Sequence, residues 1–211
     1  MPSHQNPLEP GSYYHIWTHA NGQGNLFQES KNYGFFLEKY QKYISPIAFT
    51  YAYCLMPNHL HLLISIKQKN DLHMHFRNTL SIHTDNELDT SKISRILSQQ
   101  FSNCFNSYTK SYNKYYNRKG SLFISNFKRK KVVNEEYLAG LVTYIHNNPV
   151  YHKFAHSAKS WPFSSYKYYT SNLKKPAFLL TEKCLQWFGN VVEFSKAHDE
   201  AIFEKMDSNL K

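Results

Sequence analysis

Acidic residues are missing from one long stretch of this chain. Between Thr90 and Val133 there is no Asp or Glu, while ten Lys or Arg lie there. Of the 25 Lys and Arg, the fifteen elsewhere are matched by the chain's 15 Asp and Glu, so the whole excess of +10 sits in that stretch. Cysteine is scarce as well. Cys54, Cys104 and Cys184 are odd in number, far apart and never in CxxC spacing, which argues against a cysteine-based zinc site and for a reducing compartment, the cytoplasm by default. No apolar run approaches the roughly 20 residues of a membrane span, so no membrane partner is expected. The first residues, MPSHQNPLEPGSYY, lack the charged and apolar regions of a signal peptide. Repeats, low-complexity tracts and linkers long enough to separate two domains are also missing.

What the chain does contain is burial capacity. Hydrophobic residues make up 41% of 211 and aromatics 17%, enough for one domain with a core or one domain plus an appendage. Within the acid-free stretch the cations are interleaved with rings and amides, as in NSYTKSYNKYYNRKGSLFISNFKRKK. Cations suit phosphates and flat rings suit bases, so the pattern fits a surface that follows single-stranded or distorted nucleic acid. A solvated basic face is the plainer alternative. The cations expected at such an interface are Lys110, Lys114, Arg118, Lys119, Lys128, Arg129, Lys130 and Lys131.

Periodicity predicts a strand over Tyr13–Thr18, a helix over Glu29–Tyr43, and two strands, Ile47–Leu55 and His59–Ile66, joined by the turn Met56-Pro57-Asn58. A short helix over Asp71–Asn78, a polar loop over Asp85–Ser91 and a longer helix over Lys92–Tyr115 follow. Ser121–Val133 reads as a fourth strand. Asn134-Glu135-Glu136 then opens a helix with a cap residue and first-turn acids, and Pro149 is expected to stop it. The order β-α-β-β-α-β-α predicts an α+β ferredoxin-like sandwich, an antiparallel sheet backed by helices. Beyond Val150 the pattern is irregular, with a final helix expected from Thr181.

Two motifs carry chemistry. In a strand, His59 and His61 project from one face about 7 Å apart, close enough for two imidazoles to converge on one ion, while Leu60 and Leu62 face the core. Histidines on the wet face of a strand would look the same. His73-Met74-His75 is an internal control, because on a helix residues two apart point to nearly opposite sides. A histidine-triad hydrolase is set aside, since Leu63 stands where a third His would be needed. The second motif is NEEYLAGLVTYIHNNP. Leu138, Leu141, Val142 and Ile145 form an apolar face, and Tyr144 and Asn148, four apart, share another stripe with Tyr137 and Gly140. A packed tyrosine and a helix-ending Asn would fit that spacing equally well.

YAYCLMPNHLHLLI followed by YIHNNPV resembles the single-tyrosine HUH transposases, most of all their REP-associated branch; HUH denotes His, a hydrophobic residue, His. The resemblance runs from about Tyr13 to Tyr169 and takes in GSLFISNFKRKKV, NEEYL and WPFSSY. It implies that His59 and His61 hold a divalent cation, Mg²⁺ or Mn²⁺, that Asn148 completes the metal site, and that Tyr144 is the nucleophile. It implies the same ferredoxin-like fold, and single-stranded DNA beside a hairpin as substrate. A catalytic domain over residues 1–170 and a C-terminal extension over 171–211, to which no role is assigned, are expected. A homodimer is one arrangement such a site admits.

The implied chemistry is cleavage and rejoining of single-stranded DNA through a 5′-phosphotyrosine, with covalent storage of bond energy in place of ATP. A tyrosine at the ordinary pKa of about 10 is a poor nucleophile at neutral pH, so a metal or a nearby base must assist. Two imidazoles and an amide form a harder, weaker site than thiolates, which favours exchangeable Mg²⁺ or Mn²⁺. Two rivals stay open: a domesticated DNA-binding protein that keeps hairpin recognition without strand transfer, and an RNA-binding or RNA-processing protein, which the basic stretch alone would serve.

Overall fold

The run His59–Ile66 alternates Leu60, Leu62, Ile64 and Ile66 with His59, His61, Leu63 and Ser65, so a strand made from it needs a core on one face and cover for Leu63 on the other. A computed structural model, which describes residues 6–81 and 88–201, supplies that cover. Four strands, β1 (Tyr13–His19), β2 (Ala48–Met56), β3 (His59–Ile66) and β4 (Lys128–Val132), form one antiparallel sheet in the order β2-β3-β1-β4. This is the expected ferredoxin-like topology. The β2–β3 hairpin turns at Pro57-Asn58, one residue later than the expected connection began.

On one face lie α1 (Ser30–Tyr43) and α3 (Thr90–Tyr115), with α2 (Lys69–Leu80) leading between β3 and α3. Leu60, Leu62, Ile64 and Ile66 of β3 and Tyr14 and Ile16 of β1 meet Phe36, Tyr40, Leu97, Phe101, Cys104, Phe105 and Tyr108 in the larger core. Asp89 caps α3, its carboxylate accepting from Lys92 N at 2.8 Å. The expected polar loop over 85–91 falls partly on residues 85–87, which lie outside the described residues.

On the other face α4 (Tyr137–Tyr151) packs across β2 and β3, with Leu138, Leu141, Val142 and Ile145 against Tyr51, Ala52, Cys54, Met56 and Leu63. Two short helices near the end of the chain, α6 (Thr181–Gln186) and α7 (Val191–Asp199), add Cys184 and Phe194 to this second core. A one-turn helix, α5 (Lys167–Thr170), precedes them and contributes Tyr169. No helix among the described residues is long and apolar enough to cross a membrane.

Two expected boundaries are corrected. The fourth strand is shorter than 121–133. Leu122, Phe123 and Phe127 all turn into the larger core, an arrangement that two-residue alternation cannot give, and Asn126 takes a left-handed φ of 62° just before the strand. Pro149 does not stop α4, which runs two residues further to Tyr151. A proline two residues from a helix end forfeits only its own amide bond, and the next turn closes through His152 N donating to Asn148 O at 3.1 Å. The acids expected in the first turn of α4 sit instead in the turn before it, where Asn134 Oδ1 accepts from Glu136 N at 2.9 Å.

Candidate active site

Strand parity decides which histidines meet. With Leu60 and Leu62 in the larger core, His59 and His61 point to the α4 face. The β1–β3 register sets His19 opposite His59 and Trp17 opposite His61, and His15 opposite Leu63, so β1 adds His15 and His19 to the same face. These rings pack closely: His19 stacks on His59 with centroids 4.8 Å apart, and His15 on His61 at 5.1 Å.

The helix α4 brings its own stripe over them. Tyr144 stands edge-on to His61 with ring centroids 5.8 Å apart, and His152 meets His59 at 4.5 Å. Asn148 is midway along that stripe, one turn from each, and is 1% exposed. Its Nδ2 donates to Tyr144 O at 3.0 Å, which leaves the amide oxygen as the atom available to a cation. The sequence reading missed His152 and His15. His152 continues the 144/148 spacing by another four residues, a signal hidden by taking Pro149 as the end of the helix. His15 falls on this face only once the register of β1 is known.

The ring nitrogens sort themselves by their partners. His59 Nδ1 is 2.7 Å from Asn58 Oδ1, an acceptor, so Nδ1 carries the proton and Nε2 is bare. That Nε2 is buried and has no hydrogen-bond partner among the described residues. An orphaned lone pair in a buried site is what a cation ligand needs, so His59, His61 and the Asn148 oxygen fit a divalent ion. Among the described residues no group of three or more His, Cys, Asp or Glu side chains is set to hold a metal. An ion bound here would therefore depend on the amide and on oxygens from water or substrate, as suits Mg²⁺ or Mn²⁺. Burial pushes His59 down to about 3, with His152 and His19 adding to the effect, and drives His61 well below its ordinary value. Burial and then Lys130 push His15 down to about 3. All three are neutral at pH 7, the form that can coordinate.

The control pair behaves differently. His73 and His75 lie on α2, flanking the exposed Met74, and share no site.

The eight basic residues divide by structure. Arg118 is tied to the backbone carbonyls of Gly120 and Ser121 and to Asn113, closing the turn after α3. Arg129 donates to Asn6 O at 2.6 Å and to Ser98 Oγ at 2.9 Å, and Lys131 pairs with Glu9. Lys128 and Lys130 lie opposite Trp17 and His15 in the β1–β4 register, so their side chains share the histidine face. Lys110, Lys114 and Lys119 are exposed around the end of α3. Between α3 and residues 120–129 runs a groove of about 860 Å³ lined mainly by Ser, Thr and Asn side chains with Lys110 and Arg129.

No protein-family model matches the chain. A Haemophilus influenzae protein named as a REP-associated tyrosine transposase is 25% identical over 117 residues, which cover 56% of this chain and 58% of the relative, so the match spans little more than half of that protein. Among solved structures, a REP-associated tyrosine transposase bound to a REP hairpin superposes with a TM-score of 0.57 at 16% identity, covering 85% of this chain and 92% of that one. The second likeness carries the fold, and the first adds a partial sequence similarity to a protein of the same name.

Proposed function

We propose that the protein is a metal-dependent tyrosine transposase that cleaves and rejoins single-stranded DNA beside a hairpin, working in the cytoplasm. The observation that carries this reading is the stripe Tyr144–Asn148 laid over His61 and His59, with a bare, buried His59 Nε2 at its centre. His59, His61 and the Asn148 oxygen would hold Mg²⁺ or Mn²⁺. When bound, such an ion polarises the scissile phosphate and offsets the charge that builds in the transition state.

The chain's own residues do the rest. Asn148 fixes the helix turn that presents Tyr144. Tyr144 Oη gives up its proton and forms a bond to phosphorus as the phosphorus–O3′ bond breaks, and the departing 3′ oxygen takes a proton. The products are a 5′-phosphotyrosine and a 3′-OH. A later 3′-OH attacks that link, restores the phosphodiester and releases Tyr144. No ATP is needed, since one phosphoester replaces another. Lys128 and Lys130, on the same face, are suited to hold the phosphates next to the site, and Lys110, Lys114 and Lys119 those of the hairpin. Residues 1–170 carry this chemistry, and within the extension after them α7 packs against α4 and α6 against β2.

The test is incubation with Mn²⁺ and 5′- or 3′-labelled hairpin oligonucleotides taken from sequence flanking the gene, followed by denaturing electrophoresis. A covalent protein–DNA band is expected from the wild type. It should vanish with EDTA and fall at least 1000-fold in Tyr144→Phe, the scale seen when a nucleophile is removed. Hairpin binding without a band, across several flanking hairpins, would instead favour a non-catalytic binding protein.

A further inference from the structure

We infer that His15 is a positioning residue for the metal pair, accepting a hydrogen bond from His61 Nδ1 and so keeping His61 Nε2 bare for a divalent cation. The inference rests on the reading of His59 and His61 as cation ligands. His15 Nε2 and His61 Nδ1 are 2.9 Å apart, and both residues are buried, at 2% and 6% exposure. Their rings are inclined by only 17°. Trp17 stacks on His15 at 4.8 Å and Tyr144 stands edge-on to it at 6.0 Å, so the ring is clamped by both the strand and the nucleophile's helix.

A neutral imidazole carries one proton, and two arrangements share this hydrogen bond. If His15 Nε2 holds the proton, it donates to His61 Nδ1, and the proton of His61 then sits on Nε2, where an ion would have to go. If His61 Nδ1 holds it, His61 Nε2 is bare and the proton of His15 sits on Nδ1. Only the second arrangement leaves His61 able to coordinate. His59 meets the same requirement through Asn58, whose oxygen can only accept and therefore forces Nε2 bare. His15 performs for His61 the service that Asn58 performs for His59, but an imidazole can take either role. The binding arrangement also places an N–H on His15 Nδ1, a buried atom without a partner among the described residues. The site is thus pre-set at His59 and switchable at His61.

Two measurements test this. Mn²⁺ titration followed by electron paramagnetic resonance compares the wild type with His61→Ala, His15→Leu and His15→Gln. His15→Leu should weaken Mn²⁺ binding 10- to 100-fold, the usual cost of losing a partner behind a metal ligand. His15→Gln, whose amide oxygen can accept from Nδ1, should recover most of the loss. Unchanged affinity in His15→Leu would overturn the inference, as would equal losses in both variants. Nitrogen-15 NMR of histidine-labelled wild type at saturating Mg²⁺ needs no variant to fold. The proton of His61 is expected on Nδ1, and finding it on Nε2 would overturn the inference. If His61→Ala binds Mn²⁺ as well as the wild type, the ligand reading itself fails, and the role of His15 falls with it.

Discussion

The same two strands, β1 and β3, present two different faces. Toward α1 and α3 they offer Tyr14, Ile16, Leu60, Leu62 and Ile64, packed among phenylalanines, and the tyrosine hydroxyls there are satisfied. Tyr14 donates to Pro7 O at 2.6 Å, Tyr108 to Leu26 O at 2.6 Å, and Tyr40 meets Thr50 at 2.7 Å. Toward α4 the alternate positions are His15, His59 and His61, and two of their ring nitrogens are buried without partners among the described residues. A buried polar atom left unpaired costs about 1–3 kcal/mol, and the α1–α3 face of these strands leaves only Thr18 Oγ1 so among the described residues, so the histidine face forgoes more stability. The first face is nearly complete as a core. On the proposed function, the second is held open for groups the chain does not itself supply.

If the division is real, the first face can be damaged without touching the second. Phe101 is fully buried in the larger core against Phe105 and Phe127. Phe101→Ala should destabilise the fold by about 3–5 kcal/mol, read by urea unfolding, while the folded protein keeps wild-type Mn²⁺ affinity. A parallel loss of metal affinity at temperatures where the variant is still folded would show that the two faces are one mechanical unit.

The far end of the α4 face predicts a pH effect. His198 of α7 donates from Nδ1 to Phe194 O at 2.6 Å, which leaves its Nε2 to accept from His146 Nδ1 at 2.9 Å, and His146 Nε2 in turn accepts from Ser165 Oγ at 2.7 Å. Burial pushes His198 down to about 4, against smaller opposing effects of the Phe194 carbonyl and Asp199. The unfolded chain takes up this proton near 6.5, the folded one only near 4. Stability from this histidine is therefore whole above pH 6.5 and is lost as pH falls toward 4. At pH 5 the loss should be about 1–2 kcal/mol, seen as faster amide exchange in α7 than at pH 7. Equal protection at both pH values, or a loss that His198→Gln does not remove, would detach α7 from this account.

Much of the first face could be read from sequence, because its signal is local. Ile93, Leu97, Phe101, Phe105 and Tyr108 repeat at helical spacing, and Leu60, Leu62 and Ile64 alternate. The second face was half legible. His59 and His61 declare themselves two apart in a β-prone run, and Tyr144 and Asn148 four apart in a helical one. His15 was not legible, since its place depends on how β1 pairs with β3 across 46 residues of chain. His152 was obscured by a proline rule that holds for helix interiors and is relaxed in the last turn. Residues 121–127 look like a strand because their aromatics favour extended backbone, yet packing against α3 decides their path.

The same parity makes the smallest and most discriminating prediction, inside the run Lys128-Arg129-Lys130-Lys131. Read as sequence, it is one block of four cations. On an edge strand paired with β1 it becomes two pairs: Lys128 and Lys130 beside Trp17 and His15, Arg129 and Lys131 turned to the first face and engaged with Ser98 and Glu9. Each cation on a phosphate adds about one to the slope of log affinity against log salt. Lys128→Gln with Lys130→Gln should therefore weaken hairpin binding about tenfold and lower that slope by about 2, measured by fluorescence anisotropy across a potassium chloride series. Arg129→Gln with Lys131→Gln removes the same formal charge, and should lower the melting temperature while leaving the slope nearly unchanged. Were the two double variants to lose slope equally, charge density on the strand would matter and its facing would not. Lysines on an edge strand also deter strand-to-strand aggregation. That role would appear as reduced solubility of the Lys128/Lys130 variant with its salt slope intact, an outcome that would return those two lysines to a structural role and leave the hairpin to the cations around α3.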